Sequence, residues 1–158
     1  MKYIIALMIG IVCLSCSQDK KISSSDDQRI AIISSDTIEL IASGDRMSDM
    51  KFNLDNITVP ALKAITIKLT NTSSDATMPH NVVFIEKGKA NEVGQNGLKH
   101  RDNGFVKPND LNVIAYSELA QIGETRYVTF KSPKRGEYEF ICSYPGHWGL
   151  MKGTFRTQ

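Results

Sequence analysis

Apolar and polar residues alternate in several short stretches of this chain. Ile65-Thr-Ile-Lys-Leu-Thr70 repeats with a period of two, the period of a strand buried on one face. Tyr127-Val-Thr-Phe-Lys131 and Tyr138-Glu-Phe-Ile-Cys142 do the same. Successive strand side chains point to opposite faces, so Tyr138, Phe140 and Cys142 share one, and the thiol is predicted to face inward with the two rings. Val82-Val-Phe-Ile85 is apolar without interruption, as expected at the centre of a packed sheet. Lys51-Phe-Asn53 and Ile57-Thr-Val59 are weaker strands around an Asp-Asn turn, and Pro133-Lys-Arg-Gly136 predicts a turn between two strands. Many short strands separated by turn signals predict an all-β chain, a Greek-key β-sandwich or barrel. Lys87 to Asn109 breaks the pattern. It is rich in Gly, Asn and Lys and predicts a long insertion holding one short helix over Ala90–Leu98. There is no internal repeat.

The N-terminus reads as processing signal and spacer rather than fold. Met1-Lys2 gives a positive start, and Tyr3 to Leu14 is an apolar run too short to span a bilayer. Leu14-Ser15-Cys16-Ser17 then resembles a bacterial lipoprotein cleavage box, with Cys16 as the lipidated residue. A plain secretory signal cut nearby is the alternative. Residues 1–15 are therefore expected to be a signal peptide. Residues 16–36, rich in Ser, Asp and Lys, are expected to be a flexible tether with an average span on the order of 25 Å. Ile30-Ala-Ile-Ile33 offers an early strand within it. Residues 37–158 are expected to form one folded domain.

Composition narrows the function. The chain has 158 residues, 41% of them hydrophobic, enough for a real core, and a formal net charge of only +2. The charges are mixed along the sequence, which argues against a nucleic-acid surface. Of three cysteines, Cys13 leaves with the signal and Cys16 carries lipid, so Cys142 is the lone mature thiol and no disulfide is expected. A free thiol in an oxidising envelope is a liability unless it is buried, bound or catalytic.

Cys142 lies in the segment that carries the chemistry, Phe140-Ile-Cys-Ser-Tyr-Pro-Gly-His-Trp-Gly-Leu-Met151. Taken singly, a buried Cys is a small hydrophobe, Met151 is core filler and His147 belongs to an ordinary turn. Their joint spacing is what counts. Cys142 ends a strand, a Pro-Gly turn leads to His147, and Met151 follows three residues later, so one compact loop can point all three at one place. His80, at the start of another strand, can complete the set. A thiolate, two imidazoles and a thioether make a blue-copper site, because soft sulfur suits Cu(I) and imidazole suits both oxidation states.

Here the chain resembles a known family. Cys142-Ser-Tyr-Pro-Gly-His147-Trp-Gly-Leu-Met151-Lys-Gly-Thr154 has the spacing of the azurin and auracyanin branch of the cupredoxins. Met78-Pro-His-Asn-Val-Val-Phe84 resembles the family's other ligand strand, in a form closer to plastocyanin. Met50-Lys-Phe-Asn53, Ile57–Val59, Lys107-Pro-Asn-Asp110 and Val113-Ile-Ala115 resemble further azurin strands, so the likeness covers residues 37–158. The resemblance implies the cupredoxin fold. It implies one type 1 copper ion, with His80 Nδ1, Cys142 Sγ and His147 Nδ1 in a trigonal plane, Met151 Sδ as weak axial ligand and the Pro79 carbonyl on the opposite axis. The backbone N–H groups of Asn81 and Tyr144 would donate to the Cys142 sulfur, and the Asn81 side chain would pin the ligand loop. The edge of His147 would emerge through an apolar electron-transfer patch of Met78, Pro79, Pro145, Gly146 and Trp148, unless Trp148 packs down on the end of the barrel.

The implied function is one-electron transfer between redox partners, a cytochrome or another copper or haem oxidoreductase, with no bound small-molecule substrate. The place is the periplasmic side of the cell envelope, with membrane attachment through Cys16. A copper carrier or sensor is the competing expectation, but such sites are usually open and Met- or His-rich, and here the ligands are few and held on a stiff loop. Copper enzymes need further imidazole-built centres. This chain has three histidines, and the third, His100, sits beside Lys99 and Arg101 and is expected at the surface. No enzymatic activity is expected.

Overall fold

The alternating stretches pair into two facing sheets. A computed structural model of the chain describes the backbone of residues 30–32 and all of residues 37–158. The strands are β1 Ile30–Ile32, β2 Thr37–Ser43, β3 Lys51–Phe52, β4 Asn56–Val59, β5 Ala64–Asn71, β6 Val83–Ile85, β7 Val113–Tyr116, β8 Thr125–Lys131, β9 Gly136–Ile141 and β10 Lys152–Thr157. One sheet has the order β1-β4-β10-β9-β6-β7 and the other β3-β2-β5-β8. Parallel pairs β1/β4, β4/β10 and β2/β5 are mixed with antiparallel ones, as non-consecutive connections between two sheets require. The two sheets with one short helix match the expected all-β sandwich. The expected signal peptide, Cys16 and most of the expected tether lie outside the described residues. Within that tether range, Ile30–Ile32 adds a strand beside β4, pairing Ile30 with Asn56.

Burial explains the apolar patterns. Along β2 exposed and buried residues alternate, placing Ile38, Leu40 and Ala42 inside, and β5 buries Ile65, Ile67 and Leu69 against them. Phe84 is the hub of the core, with ring centroids 4.9 Å from Phe130, 6.0 Å from Phe140 and 4.8 Å from Phe155. The unbroken run Val82–Ile85 has two destinations. Val82 and Phe84 face the core between the sheets, while Val83 and Ile85 face a second cluster with Val93, Val106 and Ile141. That second cluster lies beneath the insertion. A strand covered on both faces has no solvent side, so its sequence does not alternate.

The insertion holds helix α1, Ala90–Gly97, where the sequence predicted it, followed by a 3-10 turn at Arg101–Asn103. Two glycines weaken α1 as an isolated helix, and packing explains both. A Cβ on Gly94 would collide with the Trp148 indole, and one on Gly97 would collide with the Phe105 carbonyl. Side-chain bonds tie the segment down, among them Asn112 Nδ2 to Glu92 at 3.0 Å and Asn96 Nδ2 to Asp110 at 3.2 Å.

The topology sets two chain segments at one end of the sandwich. β9 and β10 pair along their length, Lys152 opposite Ile141, so the segment between them must close at that end. β6 neighbours β9, with Val83 opposite Ile141, which brings His80 close to the same point. Replacing Phe84 with Ala should lower unfolding free energy by about 3–5 kcal/mol, since the cavity would be lined by rings that cannot collapse into it. Chemical denaturation measures this, and a loss under about 1 kcal/mol would contradict the assignment of Phe84 as hub.

Candidate metal centre

The β9–β10 connection is a tightly hydrogen-bonded loop. Cys142 N–H donates to the Met151 carbonyl at 2.9 Å and closes it. Inside, His147 N–H donates to Tyr144 at 2.9 Å and Met151 N–H to His147 at 2.8 Å. Gly146 has φ 85°, the left-handed conformation that a Pro-Gly turn uses. On the other side His80 exchanges backbone bonds with Ala120, at 3.1 Å and 2.7 Å, as an isolated bridge ahead of β6.

These anchors bring three donors together. Cys142 Sγ lies 3.8 Å from His80 Nδ1 and 3.6 Å from His147 Nδ1. The ligating atoms of the three residues are all within 4.8 Å of one another, and all three side chains are buried. Met151 is also fully buried and packs in the main core with Cys142. Pro79 is buried directly before His80. His100 is half-buried at the start of the 3-10 turn, outside this group.

A hydrogen-bonded frame surrounds the donors. The backbone N–H groups of Asn81 and Tyr144 donate to the Cys142 sulfur. Asn81 Nδ2 donates to the Gly104 carbonyl and to Ser143 Oγ, each at 2.9 Å, and Asn81 Oδ1 accepts from Ser143 N–H at 2.9 Å. The side chain of Asn81 therefore joins the strand of His80, the loop of Cys142 and the insertion. Residues that the sequence reading missed complete the frame. Ser73 Oγ is 3.2 Å from His80 Nε2, and Ser73 N–H donates to Asn71 Oδ1 at 3.0 Å. Ser143, Ser73 and Asn71 are buried polar residues, a distinction that sequence alone does not carry for such common types.

Electrostatics prepare the site for a cation. Burial pushes the Cys142 thiol from 9.0 up to about 12, against the pull of the two N–H donors. Burial, with the neighbouring His147, lowers His80 from 6.5 to about 4, and burial lowers His147 to about 4 as well. Near neutral pH the imidazoles are thus uncharged and free to ligate, and the thiol gives up its proton only to a strong partner such as a metal. Two buried imidazole nitrogens facing one buried sulfur, with a thioether in the same loop, fit copper.

The surface around the site differs from the expectation. Met78 is buried, with 8% exposure, and its carbonyl accepts from Asn71 Nδ2 at 2.9 Å. Trp148 is half-buried and packs against the second cluster, its indole over Gly94 of α1, which is the packed alternative. His147 itself is only 1% exposed, so its edge lies beneath the surface rather than piercing it. Gly146 is exposed and Pro145 half-buried. Beside them Met47 is 45% exposed and its methyl approaches Gly146, a neighbour that the sequence did not reveal.

The sequence pattern of the copper binding proteins of the plastocyanin/azurin family matches residues 38–158. The chain belongs to this family. An azurin of Alcaligenes faecalis is 43% identical over 112 residues, 66% of this chain and 88% of that protein. The outer membrane protein H.8 of Neisseria meningitidis is 38% identical over 110 residues, 66% of this chain and 60% of that protein. The solved structure of auracyanin A, a blue copper protein of Chloroflexus aurantiacus, superposes with a TM-score of 0.69 at 32% identity, covering 77% of this chain and 98% of auracyanin A. His80, Cys142, His147 and Met151 are arranged as a type 1 copper site, and copper is the cofactor of the family.

The metal-free protein should have a plateau of stability between about pH 6.5 and 9. Below it, the unfolded chain takes up protons that His80 and His147 refuse until about pH 4, so stability falls with pH. Above it, the unfolded thiol ionises while the folded one resists to about 12, so stability falls as pH rises. Urea unfolding across pH measures this, and a profile that climbs between pH 6.5 and 4 would contradict it.

Proposed function

We propose that the protein is a one-electron carrier of the cell envelope. The observation that carries this reading is the buried Cys142 sulfur set between two imidazole nitrogens at 3.6 and 3.8 Å. Copper, when bound, supplies the Cu(II)/Cu(I) couple. Every other part of the task falls to the chain. His80, Cys142, His147 and Met151 would hold the ion. The Pro79 carbonyl, next in chain to His80, would be a weak further donor. Asn81 and Tyr144 steady the sulfur through their N–H groups, and full burial of Cys142 excludes water. A frame fixed by backbone pairing on both sides changes little between oxidation states, which keeps the barrier to transfer low.

Of the four ligand residues only His147 is not wholly buried, at 1% exposure, and the half-buried Pro145 and exposed Gly146 directly precede it in the loop. A small apolar area here, widened by Met47 and bordered by Trp148, suits brief contact with a redox protein. The partner is a cytochrome or another copper or haem oxidoreductase, with no small-molecule substrate. The chain carries three histidines, two of them in this centre, which favours a carrier over a copper enzyme. Export is supported by the apolar start of the sequence, and lipid attachment at Cys16 by the Leu14-Ser15-Cys16 box. A relative whose name places it in the outer membrane agrees with an envelope location.

Full-length protein loaded with Cu(II) should be intensely blue, bleach on reduction and recover on oxidation. Cys142→Ser should remove the band, whereas Met151→Leu should keep it and raise the reduction potential. Rapid loss of copper without reversible cycling would favour a copper carrier or sensor instead. Met47→Lys should slow electron self-exchange by about tenfold or more at low salt, by setting like charges at the contact, with the visible spectrum unchanged. An equal rate would remove the Gly146 face from the electron path.

A further inference from the structure

The ring of His80 has two nitrogens, and only Nδ1 faces Cys142. The other, Nε2, is 3.2 Å from Ser73 Oγ, and both residues are buried, His80 completely. No other side-chain hydrogen bond to that ring nitrogen is present among the described residues. Ser73 is itself held. Its N–H donates to Asn71 Oδ1 at 3.0 Å, while Asn71 Nδ2 donates to the carbonyls of Met78 at 2.9 Å and Ala120 at 3.0 Å. Ala120 is the residue that pairs with the His80 backbone. Asn71, at the end of β5 in the opposite sheet, thus sets the hydroxyl and the histidine backbone in one frame.

We infer that Ser73 is a positioning residue for the metal centre: its hydroxyl accepts the Nε2 proton of His80, fixing the tautomer and ring angle that aim the Nδ1 lone pair at the site, and Asn71 holds Ser73 in place. An imidazole carries one proton when neutral, and a fixed acceptor at one nitrogen leaves the lone pair on the other. Without Ser73 the ring could turn about its χ2 bond or carry its proton on Nδ1, and either would remove the donor from the cage. Such outer partners of ligating histidines alter metal affinity by about 10- to 100-fold. The inference rests on the proposed role of His80 as a ligand.

The test uses the full copper-loaded chain in its reduced, diamagnetic form. In the wild type the His80 Nε2 proton should give a distinct nuclear magnetic resonance signal protected from exchange with water. Ser73→Ala should shift that signal, speed its exchange and lower copper affinity by about tenfold or more in a chelator competition. Ser73→Thr, which keeps the hydroxyl, should restore all three. A purely structural serine would change melting temperature without moving the Nε2 proton. Unchanged shift, exchange and affinity in Ser73→Ala would overturn the inference while leaving the copper site intact. A wild-type His80 Nε2 proton that exchanges freely would overturn it without any variant. A wild-type chain that takes up no copper would overturn the electron-carrier reading and this inference together.

Discussion

Everything at the functional end of this molecule depends on one desolvated sulfur facing two desolvated imidazoles. Burying one thiol and two rings in their neutral forms costs far less than burying them charged. The same burial raises the thiol to about 12 and lowers each ring to about 4, so the three groups stay uncharged over the neutral range. The arrangement is therefore a folded cage of neutral donors. A soft cation that displaces the thiol proton turns it into a charged, strongly bound centre. The fold supplies a place from which water is excluded, and the ligand loop supplies atoms that water would otherwise compete with.

That cage is held in four ways. The loop closes on itself through the bond between Cys142 N–H and the Met151 carbonyl. The first sheet brings in His80 beside β6, and the second reaches across with Asn71 and Ser73. The insertion, which looks peripheral in sequence, contributes the Gly104 carbonyl that accepts from Asn81. Its helix receives the Trp148 indole over Gly94. The ligand loop is thus pinned at its start through Asn81 and Ser143, and near its middle through Trp148.

Much of this was legible in the sequence, for identifiable reasons. β5 shows its pattern because one face is buried and the other is wetter; β2 carries the same alternation but was not picked out. The loop with Cys142, His147 and Met151 was legible because short local spacing determines which side chains can converge. β10 was not legible. Lys152-Gly-Thr-Phe-Arg-Thr157 has a single large apolar residue, and its strand character comes from pairing with β9 on one side and β4 on the other. The surface was only partly legible, because it depends on packing. Met78 and Trp148 are apolar residues beside the ligands, but tertiary contacts draw Met78 into the interior and lay Trp148 on α1, while distant Met47 comes to the exposed rim. Ser73 and Asn71 gave no signal because a serine and an asparagine after a strand usually mean only a turn.

The central claim is that the Cys142 sulfur and the two histidine nitrogens bind one copper ion directly. X-ray absorption at the copper edge of the full-length, copper-loaded protein tests it most directly. The account predicts a first shell with one short sulfur neighbour and two nitrogen neighbours, and the sulfur contribution disappearing in Cys142→Ser. A shell built only of oxygen and nitrogen in the wild type would contradict it.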